Sequence, residues 1–254
     1  MILCFSACGN TALVAKRLGE LLNENVVSIT NSTPLTVDAA NQQRIIWAFP
    51  IYSWGLPTIV RNFIKNVVLA NADNMSHFMV ATCGDDAGLA DQMWRKELRL
   101  RGWHPRSAHT VIMPNTYVAL PGFDVDPPTL TKTKLHNASE RIAKVAHAIK
   151  CNSGINSITR GKAAWIKTRL IYPLFMKFLC SPRPFRSSVQ CNGCGTCSCA
   201  CPMGNIDIVN GHPVWSNRCV MCLACYHRCP QKCISYGSRT TGKGHYVAPR
   251  QLPE

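Results

Sequence analysis

The chain reads as an α/β protein, a doubly wound parallel five-stranded sheet followed by a small α+β unit rich in cysteine. Three observations lead there. Short apolar runs alternate with amphipathic stretches over the first 150 residues, as strands alternate with covering helices in a parallel sheet. Between residues 191 and 229, eight of the chain's 15 cysteines follow two copies of one spacing. Charge is divided too: residues 1–140 carry 12 Lys and Arg against 11 Asp and Glu, whereas residues 141–254 carry 16 against Asp207 and Glu254 alone. These divisions suggest an α/β domain over 1–150, a basic linker over 151–187 and a cysteine-rich domain with its tail over 188–254.

The first residues, Met1-Ile2-Leu3-Cys4-Phe5-Ser6, are apolar but lack the basic start and the length of a secretory signal. No apolar run reaches membrane-spanning length without a charge. Together with so many cysteines, this fits a reducing, cytoplasmic location. Residues 2–6 read as a buried strand, and Ser6-Ala7-Cys8-Gly9-Asn10-Thr11 follows as a small polar loop. A helical pattern then begins at once, with Leu13, Leu18, Leu21 and Leu22 on one side. Strand, loop and helix in that order aim backbone N–H groups and a positive helix end at a phosphate; a plain helix cap uses the same residue types. Further strands are expected over 26–29, 44–49 and 76–82, with 110–113 the core of a fifth, and helices near 58–68, 86–101 and 134–150.

Two more loops follow the third and fourth strands, where open parallel sheets bind ligands. They are Pro50-Ile51-Tyr52-Ser53-Trp54-Gly55-Leu56-Pro57 and Thr82-Cys83-Gly84-Asp85. With these three loops in order, residues 1–150 resemble the flavodoxins, which implies an FMN site. The resemblance assigns Ser6, Asn10 and Thr11 to the phosphate through their side chains, with Gly9 permitting close approach and Ala7 and Cys8 completing the loop. Cys8 stands where the family has threonine, and a thiol is a poor donor. The resemblance also lays the Trp54 ring on the isoalloxazine, within a loop of Pro50, Ile51, Tyr52, Ser53 and Gly55. The backbone of Thr82, Cys83, Gly84 and Asp85 would read the ring's pyrimidine edge. Flavodoxins usually place a tyrosine after this last loop, but here Asp86-Ala87-Gly88-Leu89 follows. Either another residue, such as Tyr117, covers that face, or the face stays open.

In the linker, Cys151–Arg160 is polar and loop-like. Lys162–Cys180 places Leu170, Ile171, Leu174, Phe175, Phe178 and Leu179 on one broad helical face, interrupted at Pro173. Its Lys162, Lys167, Arg169 and Lys177 exclude a spanning helix. Two readings remain: a bent connector packed on one domain, or an amphipathic helix lying on a membrane surface or a partner.

The cysteine unit repeats C-x2-C-x2-C-x3-C-P. Cys191, Cys194, Cys197 and Cys201 precede Pro202; Cys219, Cys222, Cys225 and Cys229 precede Pro230, each displaced by 28 residues. Ile206 and Ile234 share that displacement, so a folding unit has been duplicated. Three thiolates within seven residues let a tight loop wrap one face of a cubane, while the fourth, before proline, points away toward a neighbour. Structural zinc would leave the third cysteine and the Cys-Pro of each copy without a role, and a disulfide framework usually has an even count. The unit resembles the bacterial two-cluster ferredoxins. That resemblance implies one [4Fe–4S] cluster on Cys191, Cys194, Cys197 and Cys229, and a second on Cys219, Cys222, Cys225 and Cys201. Cys199 and Cys233 fall outside the pattern as small buried filler. The tail from Arg239 to Glu254 either wraps this unit or is disordered.

The whole chain resembles flavodoxin–ferredoxin fusion proteins of anaerobic prokaryotes, which implies electron transfer between two [4Fe–4S] clusters and FMN, and onward to partner redox proteins. The basic C-terminal half suits acidic redox partners, with peripheral membrane contact a further expectation. No nucleic acid is expected, since no recognised motif or aromatic–basic interleaving accompanies the charge. The alternative is a ferredoxin-dependent FMN reductase acting on a small molecule over an open flavin face. No G-x-G-x-x-G follows a predicted strand, which argues against direct NAD(P)H oxidation.

Overall fold

The computed structural model describes residues 1–40 and 42–253. Its N-terminal half contains strands β1 (Ile2–Cys4), β2 (Val26–Ser28), β3 (Thr36–Val37), β4 (Arg44–Pro50), β5 (Val68–Leu69), β6 (Ser76–Cys83) and β7 (His104–Ile112). Five of them form one sheet in the order β2-β1-β4-β6-β7, every pair parallel. The two short strands β3 and β5 pair with each other outside it. Helices α1 (Asn10–Leu22), α2 (Thr58–Asn66), α3 (Ala90–Arg99) and α4 (Pro128–Lys150) cover the sheet. Chain order reverses between β1 and β4, and such a switch point opens a crevice at the carboxyl ends of the strands.

The inner strands are buried on both faces, which is why they read as continuous apolar runs. Alternate side chains of β4 enter different cores. Ile45, Trp47 and Phe49 pack with Ile59, Val60 and Phe63 of α2 and Trp94 and Leu98 of α3. Ile46 and Ala48 pack with Val14 and Leu18 of α1 and Ile142, Val145 and Ile149 of α4. The five strands appear where expected, with one difference in extent. β7 extends six residues before the expected core at 110–113, because His104-Pro105-Arg106-Ser107 edges the sheet and lacks the apolar signature. The loop-like stretch after α4 lies along that edge: Ser157 N–H donates to Ala108 O at 3.0 Å and Thr110 N–H to Ser157 O at 3.1 Å. α4 also starts early, at Pro128, whose fixed φ suits a first helical position.

A continuous helical segment crosses from one half to the other through Ala164–Ile166, Lys167–Ile171, Tyr172–Leu174 and Phe175–Leu179. Its second and fourth stretches are π-helical. Pro173 accounts for the first widening, since it has no N–H to donate and its ring crowds the preceding turn. Thr168, Tyr172 and Phe175 turn inward. Leu170, Leu174 and Phe178 face outward instead, so the single broad face expected from sequence is divided between protein and solvent. Among the described residues, no helix is long and apolar enough to cross a membrane.

The C-terminal unit has strands β8 (Phe185–Ser187), β9 (Ile206–Val209), β10 (His212–Trp215) and β11 (Ile234–Tyr236), with short helices at Thr196–Cys199 and Ala224–Arg228. Each copy of the duplication runs strand, cysteine loop, helix, strand. The strands exchange partners between copies: β8 pairs antiparallel with β11, and β9 with β10. Backbone conformation repeats at the same 28-residue step. Gly193, Gly195 and Gly204 are left-handed at φ 69°, 73° and 52°; Met221, Leu223 and Lys232 match them at 56°, 59° and 50°. Side chains seldom accept that region. The second copy therefore carries three strained residues, which are held by the structure around them.

His77 and His109 are buried in the α/β half. Trp47 indole N–H donates to His77 Nδ1 at 3.0 Å, and His77 Nε2 bonds Ala72 O at 2.8 Å, which fixes the neutral tautomer. Burial pulls both pKa values down to about 4, with the Arg141 guanidinium adding to the effect at His109. A histidine whose folded pKa is lowered takes up its proton more readily when unfolded, so stability rises with pH between the two values. Urea unfolding should show stability falling as pH drops from about 6.5 to about 4. A flat profile across that window would contradict neutral, buried imidazoles.

Candidate functional site

The loop after β1 holds the geometry of an anion cradle. Gly9, at φ 102°, is the N-cap of α1. Ser6 Oγ accepts Ala12 N–H at 3.0 Å. Among the described residues, the amides of Gly9, Asn10 and Thr11 meet no protein acceptor, as expected of a helix start aimed at an anion. The side chains expected at a phosphate are engaged elsewhere. Thr11 is buried, its hydroxyl 2.7 Å from that of Thr82. Asn10 Nδ2 donates to Pro114 O at 2.8 Å, and its Oδ1 accepts Tyr246 O–H at 2.8 Å. Burial pushes the Cys8 thiol up to about 12, so it is neutral at ordinary pH; its Sγ–H donates to Cys222 O at 3.5 Å.

The tail crosses this loop. Ala248 N–H donates to Cys8 O at 3.2 Å. A β-carbon on Gly9 would stand 2.9 Å from that of Ala248, so glycine is needed here for the tail's approach as well as for its φ. Tyr226 O–H anchors the same strand of tail on Lys243 O at 3.0 Å. Sequence alone marked 239–254 only by its glycines and prolines; Glu254 lies outside the described residues.

The loop after β4 closes as a tight turn, with Tyr52 N–H donating to Gly55 O at 3.1 Å and Gly55 N–H to Tyr52 O at 3.0 Å. Ser53 and Trp54 at its tip are both left-handed, φ 46° and 62°. For tryptophan that conformation is costly, and such strain collects at ligand clamps. The crossing helix holds the turn in place. Thr168 Oγ1–H donates to Trp54 O at 2.8 Å and accepts Leu89 N–H at 2.9 Å. Tyr172 O–H donates to Leu56 O at 2.6 Å, and its ring fills the space a side chain on Gly55 would need. Lys167 Nζ bonds Asp86 at 2.6 Å and lies 5.0 Å from the Trp54 ring centre.

In the loop after β6, Thr82 and Cys83 are buried, while Gly84 faces Asn115, which a β-carbon at 84 would overlap. Asp126 orients Asn115, accepting its N–H and its Nδ2, each at 3.0 Å. Burial opposes ionisation of Asp126, yet Lys134 at 2.7 Å and the two Asn115 bonds outweigh it and hold the carboxyl below its usual range. Asp85 is exposed. Tyr117, a candidate to cover this site, instead meets Phe123 and Phe175 edge-on at 5.7 and 5.8 Å.

In the cysteine unit one cavity is lined by Cys191, Cys194 and Cys197 from the first copy together with Cys229 and Cys233 from the second. Cys233 Sγ is 3.4 Å from Cys229 Sγ, so a residue expected only as filler is a fifth thiol there. Cys219, Cys222, Cys225 and Cys201 make a second group: burial raises the pKa values of the first three, and neighbouring thiols of the group raise them further. Backbone amides aim at sulfur in this group, Met221 N–H at Cys219 Sγ and Asn205 N–H at Cys201 Sγ, both at 3.4 Å. Such donors favour the thiolate. All 15 cysteines are free. Among the described residues, no three His, Cys, Asp or Glu side chains are close enough to share a single metal ion.

An open parallel sheet of order 2-1-3-4-5 with an anion cradle after its first strand defines a flavodoxin-like domain. Residues 1–117 match the family model described as "Flavodoxin domain", and the N-terminal half is flavodoxin-like. No curated protein matches the chain. Among solved structures the chain is similar to a flavodoxin from Streptococcus pneumonia TIGR4, at 17% identity and TM-score 0.40, covering 59% of this chain and 96% of that one. It is also similar to the Trp repressor binding protein from Bacillus subtilis, at 15% identity and TM-score 0.37, covering 56% and 97%. An azoreductase from Bacillus anthracis str. Sterne gives 11% and 0.36, covering 57% and 97%.

Thr168→Val should leave Leu89 N–H and Trp54 O without their partner, costing about 1–3 kcal/mol. Limited proteolysis should then cut the crossing helix sooner than in the parent, and an unchanged digestion rate would count against its role as a clamp.

Proposed function

We propose that the protein is an electron-transfer iron–sulfur flavoprotein, with two [4Fe–4S] clusters and FMN exchanging electrons with partner redox proteins. The observation that supports it best is the cavity joining Cys191, Cys194 and Cys197 to Cys229. A cluster ligated across the duplication needs three thiols from one copy and one from the other, and strand exchange between the copies supports that reading. Thiols spread around a cavity suit a polynuclear group better than one ion. A group that binds them must bring positive charge to hold them as thiolates, because several have pKa values raised by burial. The second cluster belongs on Cys219, Cys222, Cys225 and Cys201.

The amides of Gly9, Asn10 and Thr11 fit the phosphate of FMN, within the loop of Ser6, Ala7 and Cys8 that frames them. Pro50, Ile51, Tyr52, Ser53, Trp54 and Gly55 would flank the ring, and Thr82, Cys83, Gly84 and Asp85 its polar edge. FMN, when bound, supplies one- and two-electron chemistry that clusters lack. This chain's own contribution is placement: the Cys8–Cys222 contact sets a cluster-ligand loop directly against the phosphate loop. A small-molecule reductase needs an open approach to the flavin; Asn115 packed against Gly84 and Ala248 lying across Gly9 narrow the two loops assigned to it, which supports the carrier. Cys194 is exposed on the basic half and gives an acidic redox protein a point of contact.

Anaerobic preparations should contain about eight irons and eight sulfides. Cys191→Ser and Cys229→Ser should each lose about half the iron, and the double variant no more than either single one, if both residues hold one cluster. Additive losses would refute the cross-copy ligand set. Deleting residues 245–254 should speed FMN uptake several-fold by stopped-flow flavin fluorescence, because Ala248 no longer covers Cys8 and Gly9. Unaltered uptake would show that the tail does not guard the cradle.

A further inference from the structure

We propose that the outer face of the crossing helix is a docking surface for an anionic lipid membrane. The inference is independent of the redox reading. Ile166, Leu170, Leu174 and Phe178 recur every four residues, and all stand 49–65% exposed, although they belong to a helix otherwise anchored in the protein. An α-helix turns once in 3.6 residues, so four-residue steps would drift around it. The two π-helical stretches take more residues per turn. Together they bring these four side chains into one straight ridge, opposite the buried Thr168 and Tyr172.

The ridge is edged by cations and by an aromatic ring. Trp165, 60% exposed, with Arg169 and Lys177 follows the neighbouring four-residue row. Lys162 and Arg183 stand exposed beyond the two ends. Among the described residues none of these four cations has an acidic partner; the cations that do, Arg160 with Asp91 and Lys167 with Asp86, lie toward the α/β domain. No acid occurs anywhere between Glu140 and Asp207.

An apolar ridge edged by Lys, Arg and Trp is the composition of a helix lying in the headgroup region, with long basic side chains reaching to lipid phosphates. A second copy of the chain is a poor occupant, since the formal net charge of +15 opposes face-to-face association. A bilayer surface accommodates a row of exposed apolar side chains flanked by cations without needing a complementary partner surface. Because Thr168 and Tyr172 lock the inner face, the outer one is presented without any folding on binding.

The test is co-sedimentation of the full chain with vesicles of equimolar phosphatidylcholine and phosphatidylglycerol, and with pure phosphatidylcholine. The exposed positions allow two variants that leave the anchored face intact, Leu174→Ser with Phe178→Ser, and Arg169→Glu with Lys177→Glu. Binding to the mixed vesicles but not the neutral ones, reduced at least about tenfold by either variant, supports the proposal. Failure to bind either vesicle overturns it. Equal binding to both vesicles, or binding that the charge reversal leaves unchanged, overturns the anionic surface. Self-association dispersed by the serine variant, without vesicle binding, assigns the ridge to a second copy instead. Iron and flavin contents of the same samples report separately on the redox reading.

Discussion

The two halves meet where the second cysteine loop rests on the carboxyl ends of the strands. Ala224, fully buried, enters the core of the α/β domain, with Cys222, Ala200 and Met203 packed against the same core. Asn31 N–H donates to Pro202 O at 2.8 Å, and His227 Nε2 bonds Thr116 O at 2.6 Å. A parallel sheet leaves its ligand crevice open at this end. Here the crevice is roofed by the unit that carries the other cysteines. Every distance between the cradle and the cysteine groups follows from that docking, and so does the burial that raises Cys8 and Cys222.

The roof also explains where strain is stored. Met221 and Leu223 adopt left-handed conformations that glycine holds in the first copy, at the loop that touches the α/β domain. Glycine there would be easier for the backbone but would supply no side chains, whereas Met221 and Leu223 are both buried in the C-terminal core. Ser53 and Trp54 carry a similar cost in the loop after β4, where Thr168, Tyr172 and Lys167 close over them. The crossing helix is therefore a strut on one side and a ridge on the other, and Pro173 with its π-helical turns sets which residues go to which side.

Much of the α/β half was legible in order along the chain. Strands β4 and β6 are long apolar runs, and helices α1 and α2 follow their loops at once, so local pattern suffices. β7 and α4 extend beyond their apolar stretches at the N-terminal side, where hydrophobic periodicity is blind to a solvated edge or a helix start. The fifth thiol at Cys233 had no signal in spacing, since its proximity to Cys229 comes from the turn after Pro230. Tyr117, a candidate from its position to cover the open face, is drawn instead to Phe123 and Phe175, a preference that only the packed C-terminal core creates.

By itself, the amino-acid sequence determined the parallel sheet, the duplicated cysteine spacing and the polar loop after the first strand. Each is encoded by residues near one another in the chain, through apolar period, repeated step and left-handed glycine. Tertiary structure alone decided that Tyr246 and Ala248 lie on that loop, that Cys222 touches Cys8, and that the crossing helix turns Leu174 and Phe178 outward. These are contacts between residues as many as 240 positions apart. They depend on how two separately patterned units settle against each other, which no local periodicity records.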